Sequence, residues 1–355
     1  MPHPDDQPCR GNGRGTTRRD SRTRPPQSSS PGSVACAIRG RQAAYHALVH
    51  QTHALRLMLS SVAVLLSAML LNGLPAQAAN PPDVGRAVST SARWMAQESG
   101  ALLPASRIVA YYGNPLAPTL GRLGQFPPDE MIARLRRTAA FYAEADPSRP
   151  VKPALQLITP LAQGSPGEDG LYRARMSADL IEQVAGWAAD NDLLFILDVQ
   201  VGRSTVADEL AVLRPYLSRP HTHLALDPEF AMGPGQVPGE TIGSLDASDV
   251  NSAIDLLAEL VDAEQLPPKV LIVHRFLPSM LTHADAIRSD PRVQVVIDID
   301  GYGTPDAKIS RYHAFVRDAG ADFGGMKLFY EYDTPLLAPE DVLGLQPAPD
   351  VVIYQ

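Results

Sequence analysis

Carboxyl, imidazole and amine side chains recur at one kind of place in this sequence, the downstream ends of short apolar runs. Asp198 and Gln200 close the run 193–199, and Asp227 and Glu229 close 222–227. His274 and Arg275 end 269–274, and Asp298, Asp300 and Tyr302 end 294–299. Tyr111, Tyr112 and Asn114 stand at the end of the first run, and Lys327, Tyr330, Glu331 and Asp333 at that of the seventh. In Ile196-Leu197-Asp198 and Ala225-Leu226-Asp227 an acid interrupts an otherwise apolar stretch. A buried carboxylate costs several kcal/mol unless it is paired or hydrogen-bonded. These acids therefore need partners, and Lys327, His274, Arg275 and the Tyr hydroxyls are on offer. One Lys and one Arg do not neutralise the whole ring. Excess acid in a cleft goes with raised pKa values, a bound cation or a cationic substrate.

Paired carboxyls suit glycoside hydrolysis, where one protonates the leaving oxygen and the other attacks or activates water. Glu229 is the expected acid, its proton favoured by Asp227 two residues away on the same face. Glu331 is the expected nucleophile or base, with Asp227 and Asp300 (or Asp298) as further catalytic candidates. Tyr111, Tyr112, Tyr302 and Tyr330 are the expected sugar platforms. Asn114, Gln200, His274, Arg275 and Lys327 are the expected polar substrate contacts. No organic cofactor is expected. A second chemistry is a metal-dependent hydrolase, with Asp198, Asp227, Glu229, Asp300 and His274 as the donors for a divalent cation. A third alternative is a non-catalytic barrel that binds an envelope glycan. His221-x-His223 opens its run rather than closing it, which points to a structural role. Neither a Gly-x-Ser-x-Gly elbow nor a phosphate-cradling glycine loop occurs, so serine hydrolases and nucleotide enzymes drop out.

The elements that must position these groups alternate. Apolar, β-branched runs lie at 107–112, 154–159, 193–199, 222–227, 269–274, 294–299, 325–330 and 350–354. Helical patterns fall between them at 129–144, 178–190, 206–217, 248–264, 279–289, 306–318 and 339–345. Thr205 and Asp246 stand where N-caps belong, and Gly320 where a left-handed C-cap belongs. Eight strands with seven helices predict an α/β protein, a single-domain (β/α)8 TIM barrel without a C-terminal eighth helix. An open doubly wound sheet fits less well, because Gly113-Asn114-Pro115 is a poor phosphate turn. In a barrel, residues at strand C-termini line the mouth where catalysis occurs. The segment 233–243 is expected to be a substrate loop or lid.

Over residues 105–355 the chain resembles the superfamily of barrel glycoside hydrolases. In that superfamily the general acid commonly follows strand four and the nucleophile strand seven. The resemblance implies those roles for Glu229 and Glu331, although Asp227-Pro228-Glu229 replaces the Asn-Glu pair usual there. The chain also looks like a set of exported bacterial proteins with no assigned activity.

Charge and composition divide the chain again. Residues 1–79 carry nine Arg and three Asp, a net +6, against −14 for the rest, within 31 Lys+Arg and 39 Asp+Glu overall. An acidic domain without a basic stripe is not a nucleic-acid binder. Residues 1–54 are expected to be a disordered basic extension, with the true start later in the chain. Residues 55–79, with an apolar core at 57–71 and Ala76-x-Ala78, have the form of a secretory signal peptide. The apolar run is short for a stable membrane span, so a secreted or periplasmic product is expected. Residues 80–104 form an expected helical segment ahead of the barrel domain 105–355. Both cysteines, Cys9 and Cys36, precede the cleavage site, which leaves the exported part without disulfides or thiolate chemistry.

Overall fold

The computed structural model describes residues 100–316 and 322–355, all within one compact unit. The expected N-terminal extension, signal peptide and most of the helical segment 80–104 lie outside the described residues, as does Gly320. Residues 100–104 are turn and coil rather than helix.

Eight parallel strands close on themselves: β1 (Arg107–Gly113), β2 (Val151–Ile158), β3 (Leu194–Val199), β4 (Thr222–Leu226), β5 (Lys269–Arg275), β6 (Val293–Ile299), β7 (Phe323–Leu328) and β8 (Val351–Tyr354). Each pairs with its sequence neighbours, and β8 pairs with β1. The expected (β/α)8 barrel is the fold. Strand residues are apolar on both faces because helices cover the outside and packed side chains fill the inside. The inside row is small or β-branched, with Ala110, Ala154, Ile196, Ala225, Ile272 and Ile353 among its buried members. Leu102 and Leu103 pack against this inner cluster. The Gln294 side-chain oxygen accepts from both of their backbone N–H groups at 3.1 Å, anchoring the entering chain to the foot of β6.

The outer layer is made by α1 (Pro128–Ala145), α2 (Ala178–Asp190), α3 (Val206–Leu217), α4 (Ala247–Glu264), α5 (Pro305–Val316) and α6 (Pro339–Leu343), with a helical turn at Arg122–Gln125. Helix α4 buries Val250, Ile254, Leu257 and Val261, the spacing of one helical stripe. Each such side chain contributes about 1.5–3 kcal/mol through burial. The Asp208 N–H donates to the Thr205 hydroxyl at 3.1 Å, and the Ser248 N–H to Asp246 at 3.0 Å, so both expected caps form.

Two elements differ from expectation. No α-helix forms over 279–289; the segment holds two 3-10 turns, Pro278–Met280 and Ala284–Ala286, around a two-residue strand, Leu281–Thr282. His283 takes a left-handed conformation (φ 51°), which breaks a helix. Asp246 fixes the break by accepting from the Thr282 hydroxyl and from His283 Nδ1, both at 2.6 Å. Strand β7 also starts and stops two residues earlier than its apolar pattern suggests. Asp333 is the cause at its end, accepting from the Phe329 N–H at 2.9 Å and drawing the chain off the ladder.

Candidate functional site

Period-two alternation sends His274, Asp298 and Lys327 inward from β5, β6 and β7, with Gln156 and Asp198 facing them from β2 and β3. His274 is the hub. Its Nδ1 lies 2.8 Å from Asp298 Oδ2 and its Nε2 2.8 Å from Asp198 Oδ2, with all three residues fully buried. Gln156 Nε2 donates to the same Asp198 oxygen at 2.5 Å. Burial works against charge on the ring, but the carboxyls of Asp198, Asp298 and Asp300 hold its pKa well above the usual histidine value. Burial likewise opposes the Asp198 charge, yet His274, Lys327 and Gln156 hold its pKa below the usual carboxylate range. Asp298 reaches this position because its neighbour across the ladder is Gly325, where a Cβ would sit 2.8 Å from Asp298 Oδ1.

A second group lies nearer the mouth. Lys327 Nζ donates to Asp300 Oδ2 at 3.0 Å and stands 3.6 Å over the Tyr112 ring. Burial would lower its pKa, but Asp300, Asp227, Asp198 and Asp298 raise it. Gln200 Nε2 donates to the Tyr112 hydroxyl at 3.2 Å and to Asp227 Oδ2 at 3.4 Å. Asp227 is shifted the other way from Asp198. Burial first, and then the charges of Asp300, Glu229 and Asp198, push its pKa well above the usual range, against the pull of His274. Glu229, two residues on, occupies the 3-10 turn Pro228–Phe230 at the half-buried rim, where its N–H donates to Asp227 Oδ1. Its charge is felt by Tyr112 and Tyr302. Tyr302 is half-buried and packs against Phe329 and Tyr332, with ring centroids 6.0 and 5.3 Å away.

The barrel thus gathers Tyr112, Gln200, Asp227, His274, Asp300 and Lys327, with Glu229 and Tyr302 at the rim. Other expected site residues are placed elsewhere. Glu331 is exposed and lines a small cleft with Arg122, Tyr330, Tyr332 and Gln355, where Glu229 is not among the lining residues. Tyr330 is stacked under the Arg122 guanidinium at 3.7 Å. Tyr111 faces outward, its hydroxyl 2.9 Å from that of Thr138 in α1. Asn114 is buried and ties β1 to β2, donating to the Ile158 carbonyl at 3.1 Å. Arg275 points away from the acids it was expected to neutralise. One residue past the inward His274, it faces the outer layer, where it donates to the Pro278 carbonyl and lies 4.7 Å over the Phe315 ring. His223 sits at the base of β4, accepting from the Val270 N–H at 3.1 Å, and burial pushes its pKa down to about 3.

Two residues central to the cluster, Gln156 and Asp298, were underweighted by the sequence. The signal for Asp298 was its period-two match with Asp300; Gln156 lies mid-strand, and its partner is on another strand. Lys308 was missed altogether. This fully buried α5 amine donates to the carbonyls of Gly301 and Lys327 at 2.8 and 2.7 Å and pairs with Asp333 at 3.1 Å, bracing the mouth from below. A lysine on a polar-looking helix gives no local sign of that role.

The donor set does not suit the metal alternative. Both ring nitrogens of His274 are spent on carboxyls, leaving no lone pair for a cation. Among the described residues no group of three or more His, Cys, Asp or Glu could hold a metal ion. Nor is any helix among them long and apolar enough to cross a membrane.

No family model matches the chain, and no curated protein matches it. Among solved structures it is similar to a family GH5 xyloglucan-specific endo-β-1,4-glucanase from a metagenomic library, in complex with cellotriose. The TM-score there is 0.41 at 14% identity, over 74% of this chain and 90% of that one. It is also similar to a ruminal GH26 endo-β-1,4-mannanase, with a TM-score of 0.36 and 10% identity, over 78% of this chain and 66% of that one. Both likenesses are of fold alone.

Proposed function

We propose that this protein is an exported glycoside hydrolase whose chemistry is carried at the downstream end of β4. The observation that carries the reading is the pair Asp227 and Glu229, a buried acid among other carboxyls and a rim carboxyl two residues apart. Asp227 donates the proton to the leaving oxygen. Glu229 or Asp300 attacks the sugar or activates water, as the reaction requires of its second carboxyl. Tyr302 and Tyr332 offer ring faces beside Glu229 for a sugar. The expected signal peptide at 55–79 supports export. This assignment moves the acid from Glu229 to Asp227, and leaves Glu331 with a substrate contact at the rim rather than the nucleophile's place.

The deciding experiment is release of reducing ends from β-1,4-glucan, β-1,4-mannan and wall-glycan oligosaccharides. Wild type is expected to cleave at least one class, with D227N and E229Q each about 10²–10⁴-fold slower. Equal rates in wild type and both variants would overturn the assignment. The complete enclosure of Asp198, His274 and Asp298 favours a second reading, a glycan-binding barrel without turnover. Binding of intact oligosaccharide that D227N and E229Q leave unchanged is its signature.

A further inference from the structure

His274 spans the barrel interior rather than serving one neighbour. From β5 it reaches Asp298 on the adjacent strand β6 through one nitrogen, and Asp198 on β3, two strands the other way, through the other. A neutral imidazole has a single N–H, so two carboxyl acceptors at 2.8 Å ask for a ring protonated at both nitrogens. The ring's charge also acts on the proposed acid, lowering the pKa of Asp227. Asp300 lies 3.6 Å from Nδ1 and holds Lys327. Asp198 shares its strand face with Gln200, which donates to Asp227.

We propose that His274 is a positioning residue, a buried imidazolium that locks the inner faces of β3 and β6 together and sets its positive charge against the buried carboxyl of Asp227. The proposal rests on the reading of Asp227 as the acid. Every neighbouring strand contributes to the balance around the ring. The edge of Tyr112 faces it from β1, with centroids 6.3 Å apart, and the Gln156 amide from β2 at 3.2 Å. The acids come from β3, β4 and β6, one further cation, Lys327, comes from β7, and Lys308 of α5 acts on Asp300 from behind. Without the imidazolium, Asp300, Glu229 and Asp198 would act on Asp227 with less opposition, and its proton would be held too tightly to give up. His274 thus keeps a buried acid releasable.

The first test needs no turnover. Long-range 1H–15N spectra of the wild-type chain at pH 7, with His274 assigned by its loss in H274Q, are expected to show both ring nitrogens protonated. A neutral tautomer at pH 7 overturns the proposal. The second test compares wild type with H274Q by the carboxyl 13C shift of Asp227, whose titration is expected to move upward by at least one pH unit. An unmoved titration means that the ring only fills space, and overturns the positioning role. Where glycan is cleaved, the alkaline limb of kcat should move upward with it, whereas a lower kcat with the limb in place argues for packing alone. If H274Q does not fold, D298N replaces it. That variant removes one carboxyl from the ring and is expected to bring the loss of the His274 charge into the measured range; an unchanged ring counts against the proposal. A wild-type chain that cleaves no glycan but shows both spectroscopic results removes the hydrolase assignment and leaves the His274–Asp227 coupling standing.

Discussion

Asp227 carries the sharpest conflict between stability and chemistry. Its folded pKa lies well above its unfolded value, so in the window between them the unfolded chain has released a proton that the folded chain must take up. For an acid shifted upward, stability is lost as pH rises through that window. D227N removes the conflict because an amide has no proton to regain. The variant is therefore expected to melt higher than wild type at pH 7, with the gain shrinking towards pH 4, while hydrolysis falls. A lower Tm at pH 7 would mean that the Gln200 and Glu229 contacts outweigh the proton cost. His274 and Asp198 respond in the opposite sense. The ring's folded pKa is raised, so its contribution is present at low pH and lost as pH climbs through that raised value. Asp198 is depressed, and its contribution disappears as pH falls through its folded value. Replacing Asp198 by Ala leaves a buried imidazolium with one partner fewer, at a cost of about 3–5 kcal/mol in denaturant titration.

Elements place these groups through close approaches. Strand β7 passes β6 with Gly325 opposite Asp298, and a methyl group there meets the Asp298 carboxyl and Cα. G325A is expected to cost about 1–3 kcal/mol as overpacking and to displace Asp298 from His274. Chemical denaturation reads the first effect and the His274 15N spectrum the second. The loop between β5 and β6 illustrates a different control. Leu245–Asp246 pairs with Leu281–Thr282, and Asp246 both caps α4 and holds the left-handed His283. D246A should speed hydrogen exchange in residues 281–287 and in the first turn of α4 together; exchange confined to the helix would separate the two jobs. The periodicity of 279–289 suits a helix locally. The contact that overrides it comes from Asp246, more than thirty residues upstream, which no short window contains.

At the scale of the molecule, the barrel gathers Asp198, Asp227, Asp298 and Asp300 with His274 and Lys327 at its upper end, and Tyr302 stands at the rim. Gly301 and Gly303 flank that tyrosine, whose ring packs on Phe329 and Tyr332. If glycan is the substrate, Tyr302 contributes a stacking face beside Glu229. Y302A is then expected to raise KM about tenfold, the loss of roughly 1.4 kcal/mol of stacking, with the Tm within a few degrees of wild type. An unchanged KM would place the sugar elsewhere, for example over the Tyr330–Glu331 cleft.

The eight apolar runs, the caps at Thr205 and Asp246 and the inward acids were legible in the sequence because each depends on neighbours within a few residues. Strand period two selected Asp198, Asp227, Asp298, Asp300 and Lys327 for one interior, and strand ends located the mouth. Which acid meets which cation was not legible. His274 joins β3 to β6, Gln156 is 42 residues from the Asp198 carboxyl it donates to, and Arg275, one position further on, turns to the outer layer by the same alternation that turns His274 inward. Asp227 and Asp198 look alike in sequence, each an acid ending an apolar run. Only barrel closure decides between them, because it brings His274 within 2.8 Å of Asp198 and leaves Asp227 facing other acids, so that the pKa of one is held below the usual carboxylate range and that of the other is pushed above it.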